Sequence, residues 1–161
     1  MNKFLRIALQ YANEHKYEGV ELLHCALIVR GGKIISVGYN SHSANSFVNH
    51  YTNVVMPNRD YEETTHAEMD AVRQVRSKID LRGTKIYVIR RRAASVQKKL
   101  GALAISKPCE ICQHVLYNYG ISRAYYSISD TEYGVMKVVN PAKAYQNNIQ
   151  DKIFCSHQEA A

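Results

Sequence analysis

His66 and Glu68, one residue apart, and Cys109 and Cys112, two apart behind Pro108, are the residues whose types and spacing could do chemistry. Thiolate sulfur and imidazole nitrogen are the ligands zinc favours in a tetrahedral shell, and three protein ligands leave the fourth position for water. Cys109 and Cys112 stand at i and i+3, so at a helix start they share one face. Pro108 fits the first turn of that helix, where no N–H is needed. The positive end of the helix favours thiolates. His66 also begins a helix, and two helix N-termini facing one ion would build the site. Glu68 can turn toward the metal's water without being a ligand, take a proton from it and pass it to a leaving group. Zinc brings the pKa of such a water to about 7. The competing reading is a closed structural zinc site, with a fourth ligand from His24, Cys25, His42, His50 or Cys155. Such a site has no use for Glu68.

These residues need a scaffold. Phe4, Leu5, Ala8, Leu9 and Ala12 recur at helical spacing, which predicts an amphipathic helix over Asn2 to His15, capped by Asn2. Cys25 to Val29 and Lys33 to Tyr39 read as strands of a hairpin turning at Gly31-Gly32. Asn40 to Thr65 shows no clear periodicity and is expected to be a long loop. Thr64 or Thr65 is expected to cap a helix from about His66 to Ser77. Lys85 to Ile89 is a β-prone strand, and Arg90 to Lys107 a second long connection. A helix over Cys109 to Asn118 stops at Gly120. Ile121 to Ile128 and Tyr133 to Val139 read as strands. The expectation is an α/β protein with a mixed five-stranded sheet. Only about Ser129 to Glu132 separate the last two strands, too few for a parallel crossover, so these should be antiparallel.

The chain has 161 residues, 46% hydrophobic and 22% charged, as expected for one globular domain. No run approaches about 18 consecutive apolar residues, so no membrane helix is read. Met1 to Gln10 lacks the apolar core and cleavage site of a signal peptide, which favours a cytoplasmic location. In that compartment the four cysteines are expected as thiols or metal ligands. The net charge is +7, and between Arg73 and Lys107 eleven basic residues face one acid, Asp80. Such a segment attracts phosphates, on nucleotides or on nucleic acid.

The joint pattern Thr65-His66-Ala67-Glu68 and Lys107-Pro108-Cys109-Glu110-Ile111-Cys112 resembles the zinc-dependent cytidine and deoxycytidylate deaminases, whose signature is H-x-E followed by P-C-x-x-C. The element order matches that superfamily over roughly residues 1–140, leaving 141–161 as a C-terminal tail or short helix. The resemblance implies a three-layer αβα fold and a hydrolase acting on a C–N bond of a cyclic amidine. It makes His66, Cys109 and Cys112 the zinc ligands and Glu68 the proton shuttle. Asn40, which ends Val37-Gly38-Tyr39-Asn40, matches a substrate-contacting Asn. The N–H of Ala67 and the carbonyl of Lys107 would hold the base edge, and Tyr126 is a candidate to pack against the base. Asp70, Glu110 and Gln113 occupy variable positions and receive no catalytic role.

The implied reaction is attack at C4 of a cytosine nucleoside or nucleotide, giving the uracil form and ammonia, a step of nucleotide metabolism. The alternatives are an editing deaminase on single-stranded DNA, RNA or tRNA, and a catalytically silent zinc-containing domain that binds nucleic acid through Arg73 to Lys107. Members of the superfamily often form homo-oligomers. Asn40 is followed by Ser41-His42-Ser43-Ala44 where deoxycytidylate deaminases usually have G-x-P-x-G. The antiparallel end of the sheet resembles the nucleoside branch.

Overall fold

The computed structural model describes residues 1–16, 22–57, 64–75, 79–92, 102–141 and 151–155. The elements are α1 (Lys3–Glu14), β1 (Leu22–Arg30), β2 (Lys33–Tyr39), α2 (Ser46–Val55), α3 (Ala67–Arg73), β3 (Lys85–Arg92), β4 (Leu103–Ala104), α4 (Glu110–Asn118), β5 (Arg123–Ser127), β6 (Glu132–Lys137) and β7 (Lys152–Cys155). Among the described residues the strands make one mixed sheet of seven, in the order β2-β1-β3-β5-β6-β7, with β4 added to β3. β3 and β5 run parallel. The remaining pairs are antiparallel, including β5 with β6 as the short connection required.

Alternation along the strands divides the apolar residues between two cores. Ala26, Ile28, Ile86, Val88, Ala124 and Tyr126 face one side, with Met69, Val72, Val115 and Leu116 of α3 and α4. Cys25, Leu27, Tyr87 and Ile89 face the other, with Leu5, Ala8 and Ala12 of α1. The central strands therefore read as nearly unbroken apolar runs, because helices cover both of their faces. The αβα layering follows from the sequence, and Asn2 caps α1 as expected, accepting from the Phe4 N–H at 3.0 Å. Gly120, at φ +73, follows α4 and lets the Ile121 N–H turn back to the Leu116 carbonyl at 3.0 Å.

Several expectations need correction. The sheet has seven strands rather than five. The segment Asn40 to Thr65 is not all loop. Asn45 accepts from the Phe47 and Val48 N–H groups and starts α2, which is held by burial of Val48 and Thr52 rather than by a long apolar stripe. Neither Thr64 nor Thr65 caps α3. His66 is its N-cap residue, and α3 ends at Arg73, before the expected Ser77. Thr65 instead donates its hydroxyl to the Ser43 carbonyl at 2.6 Å. β3 runs on to Arg92 and gains β4 on the β5 side, past the residues that β5 covers, as Arg90 pairs with Ala104 and Arg91 with Leu103. Residues 152–155, expected in a tail or short helix, are a strand on β6, where Phe154 stacks on Tyr133.

The contact that seats α3 is made at Gly38 of β2. A Cβ there would meet the Ala71 nitrogen at 2.1 Å and the Ala67 oxygen at 2.3 Å, both backbone atoms of α3. Ser36, on the same face, donates its hydroxyl to the Ala71 carbonyl at 2.5 Å. Gly38→Ala should therefore force α3 off the sheet and cost at least about 1–3 kcal/mol. Urea unfolding would show the lower midpoint, with a loss of bound zinc in the same preparation.

Candidate active site

α3 and α4 bring the sequence's three metal-type donors together. His66 Nδ1 lies 3.3 Å from Cys112 Sγ and 3.3 Å from Cys109 Sγ. Ordinary zinc bond lengths in a tetrahedral shell put nitrogen and sulfur about 3.6 Å apart, so the donor set fits that ion. Among the described residues the cluster consists of these three, with all donor atoms within 4.8 Å of one another. None of His24, Cys25, His42, His50 or Cys155 joins it, and Cys25 is buried within β1. A set of three is the open arrangement that a catalytic zinc requires.

His66 and Cys109 hold equivalent places, each the N-cap residue of its helix and neither making a side-chain cap hydrogen bond. Their side chains are directed at the cluster instead. Cys109 was expected as the first helical residue and is the cap, which leaves Cys112 inside the first turn and fully buried. A hydrogen bond between the two sulfurs, with a further one to His66, holds Cys109 down at about 4, and the contact with Cys109 together with burial pushes Cys112 well above the usual thiol range.

Glu68 is the second residue of α3, only 4% exposed and in hydrogen-bond contact with Cys112. Burial pushes its carboxyl up to about 7, against the opposing pull of His66. A carboxyl poised near neutrality can both accept and release a proton, which is the requirement for a shuttle.

The remaining expected residues are placed as follows. Ala67 is fully buried as the first residue of α3, where a backbone N–H has no partner within the helix. Asn40 accepts from the His24 N–H at 2.8 Å and donates to the Leu22 carbonyl at 2.7 Å, so its amide extends the β1–β2 ladder beside the site. Lys107 is exposed and its ammonium pairs with Asp151 at 2.8 Å. Tyr126 is buried in the core shared with α3 and α4, and its hydroxyl donates to the same Asp151 oxygen at 2.5 Å.

Three residues position the site without having been singled out for it. Asp70 accepts from the Tyr39 N–H at 3.1 Å and from Arg73 at 2.8 Å, tying α3 to the end of β2. Gln113 donates to the Pro108 carbonyl at 2.8 Å and fixes the turn before the cysteines. Asp151 joins the start of β7 to Lys107. An Arg at i+3 was a local cue for Asp70, whereas nothing local marked Asp151. A backbone pair between Ser41 and Thr65, at 3.0 and 2.9 Å, fastens the chain ahead of His66 to the residue after Asn40.

Among the described residues, three cations of the basic segment are held in ion pairs. Arg73 is paired with Asp70, Arg82 with Asp80 and Lys107 with Asp151. Arg91 donates to Asn13 on the α1 side. Arg76, Lys78, Lys98 and Lys99 lie outside the described residues. No helix among the described residues is long and apolar enough to cross a membrane.

Residues 1–128 match the family model described as the cytidine and deoxycytidylate deaminase zinc-binding region. No curated protein sequence matches the chain significantly. Among solved structures, the crystal structure of dCMP deaminase from the cyanophage S-TIM5 in complex with dCMP and dUMP is similar at 15% identity. It covers 76% of this chain and 79% of that one, with a TM-score of 0.45. The apo form of the same enzyme gives 15% identity, 76% and 81% coverage, and the same score. Both likenesses are too slight to bear on function.

Asp70→Ala leaves the Tyr39 N–H without its acceptor and should cost about 1–3 kcal/mol. Denaturant titration would show that loss, and elemental analysis should still find zinc, because the three donors are untouched.

Proposed function

The chain belongs to the cytidine and deoxycytidylate deaminase family, and on that premise we propose that it is a zinc-dependent hydrolytic deaminase converting a cytosine nucleoside or nucleotide to its uracil form. The observation that carries this reading is Glu68, a buried carboxyl beside the three donors and outside the donor set. A purely structural zinc site gives no reason to bury a carboxyl there, at a cost that burial alone imposes.

His66, Cys109 and Cys112 hold the metal in this reading. Zinc bound there supplies Lewis acidity that brings the pKa of a water to about 7. Glu68 takes the proton released as water attacks C4 of the base and delivers it to the exocyclic amine, which leaves as ammonia. Its elevated pKa suits both halves of that transfer. The Ala67 N–H and the Lys107 carbonyl hold the base edge, and burial of Ala67, Glu68 and Cys112 keeps bulk water from the proton path. Tyr126 acts from beneath, as part of the core on which α3 and α4 rest.

Ammonia release by the zinc-loaded protein tests this. The panel holds cytidine, deoxycytidine, CMP, dCMP, adenosine, and single-stranded DNA and RNA. A cytosine nucleoside or nucleotide should be deaminated, and Glu68→Ala should keep its zinc while losing at least about 10²–10⁴-fold in kcat. Turnover that survives in Glu68→Ala would refute the mechanism, and release from adenosine alone would refute the substrate.

A further inference from the structure

β3 runs past its pairing with β5 to Arg92, and the chain comes back along it as β4 before it reaches Cys109. β5 pairs with β3 as far as Val88, opposite Tyr126, and β4 takes over at Arg90, opposite Ala104. At that changeover two serine side chains complete the ladder. Ser106 donates its hydroxyl to the Val88 carbonyl at 2.8 Å and accepts from the Ser127 N–H at 2.9 Å. Ser127 donates its hydroxyl to the Ala104 carbonyl at 2.7 Å and accepts from the Arg90 N–H at 3.2 Å. The Ser106 N–H donates to the Ser127 carbonyl at 2.9 Å, and the two hydroxyl oxygens stand 2.9 Å apart. Asp130, in the turn after β5, accepts from the Leu103 N–H at 2.9 Å. The returning segment is thus fastened to β3 on one side and to β5 and its turn on the other.

Both serines are shut off from water, Ser106 at 4% and Ser127 at 1% exposure, while Ile105 and Lys107 on either side of Ser106 are exposed. A serine turned inward beside an isoleucine turned outward reverses the usual preference. Hydrogen bonding, rather than apolar burial, therefore sets where the returning chain stops. That stopping point matters because Lys107 comes next. One residue further on, Gln113 holds the Pro108 carbonyl at 2.8 Å, so the Lys107 carbonyl lies between two anchored neighbours. We propose that Ser106 and Ser127 are positioning residues of the reaction, whose clasp holds the Lys107 carbonyl where it accepts from the exocyclic amine of the base. This rests on the deaminase reading and deepens it. A carbonyl fixed at that place accepts from the amine of a cytosine but meets the lone pairs of the corresponding oxygen in a uracil. Its placement is felt as selectivity between the two bases, and a displacement of about 1 Å is enough to spoil it.

The test compares zinc-loaded wild type with Ser106→Ala, Ser106→Thr and Ser127→Ala. Thr84→Val serves as control, since Thr84 is a buried hydroxyl ahead of β3 that donates to the Leu81 carbonyl at 2.7 Å. Ammonia release is measured on cytidine, deoxycytidine, CMP and dCMP. Binding of cytidine against uridine, and of dCMP against dUMP, is followed by calorimetry in the same proteins carrying Glu68→Ala, where no turnover intervenes. Every variant should keep its zinc. Ser106→Ala and Ser127→Ala should each lower kcat/KM by about 10–100-fold. Each should also cut the preference for the cytosine ligand by about 10-fold, the worth of one well-placed hydrogen bond. Ser106→Thr, which keeps the hydroxyl, should recover part of both, and Thr84→Val should lower the unfolding temperature while changing neither. If Ser106→Ala fails to fold, Ser127→Ala and Ser106→Thr carry the comparison. Alanine variants that unfold at lower temperature yet keep kcat/KM and base preference would make the clasp purely structural and overturn the proposal, as would loss of zinc from them. A serine-dependent preference for cytosine ligands without ammonia release by wild type would overturn the deaminase reading and uphold the clasp. Deamination with the alanine variants indistinguishable from wild type would do the reverse, and failure of both would dismiss both.

Discussion

Helix α3 approaches β2 so closely that its own backbone fills the volume a side chain at residue 38 would occupy. The Ser36 hydroxyl and the Asp70 carboxylate then fasten the two elements on either side of Gly38. This seating sets the height of His66 above the sheet and turns the first residues of α3 toward α4. Side-chain contacts can yield by a few tenths of an ångström, but a backbone-to-backbone contact has little to give. The ligand carried at the end of α3 inherits that rigidity, which suits a site whose donors must meet at fixed distances.

Electrostatics adds a second constraint. Two sulfurs, an imidazole and a carboxyl crowd together, with Cys112 and Glu68 buried, His66 half-buried and Cys109 exposed. The hydrogen bond between the sulfurs draws the Cys109 thiol down and pushes Cys112 up, and burial raises the Glu68 carboxyl. A divalent cation removes this frustration by stabilising both thiolates.

The cluster of His66, Cys109 and Cys112 was legible in the sequence because metal binding restricts residue types at short spacings, and Glu68 was marked beside it by its place two residues after His66. The strands beneath the helices were legible as well, since Lys85 to Ile89 in the middle of the sheet and Lys33 to Tyr39 at its end carry their patterns locally. The missed elements are stabilised by partners remote in the sequence. Residues 46–55 become helical because Asn45 caps them and Val48 and Thr52 find a core to enter. Leu103–Ala104 is a strand only because β3 continues past the reach of β5. Phe154 needs Tyr133 beneath it, and Asp151 acquires its role from Lys107 and Tyr126. His66 and Cys109 resemble ordinary helix starts until it is seen that neither side chain makes a capping hydrogen bond.

One carboxylate oxygen of Asp151 meets both the Tyr126 hydroxyl and the Lys107 ammonium. Lys107 stands two residues ahead of the first cysteine, and Asp151 immediately precedes β7. Docking of the last strand and ordering of the metal-bearing turn are therefore thermodynamically linked, and such linkage is reciprocal. A ligand that fixes the turn tightens the strand, and anything that competes for the strand, at whatever distance from the chemistry, loosens the turn. The edge of the sheet farthest from β2 is in this sense tied to the turn that leads into Cys109 as well as a boundary of the fold.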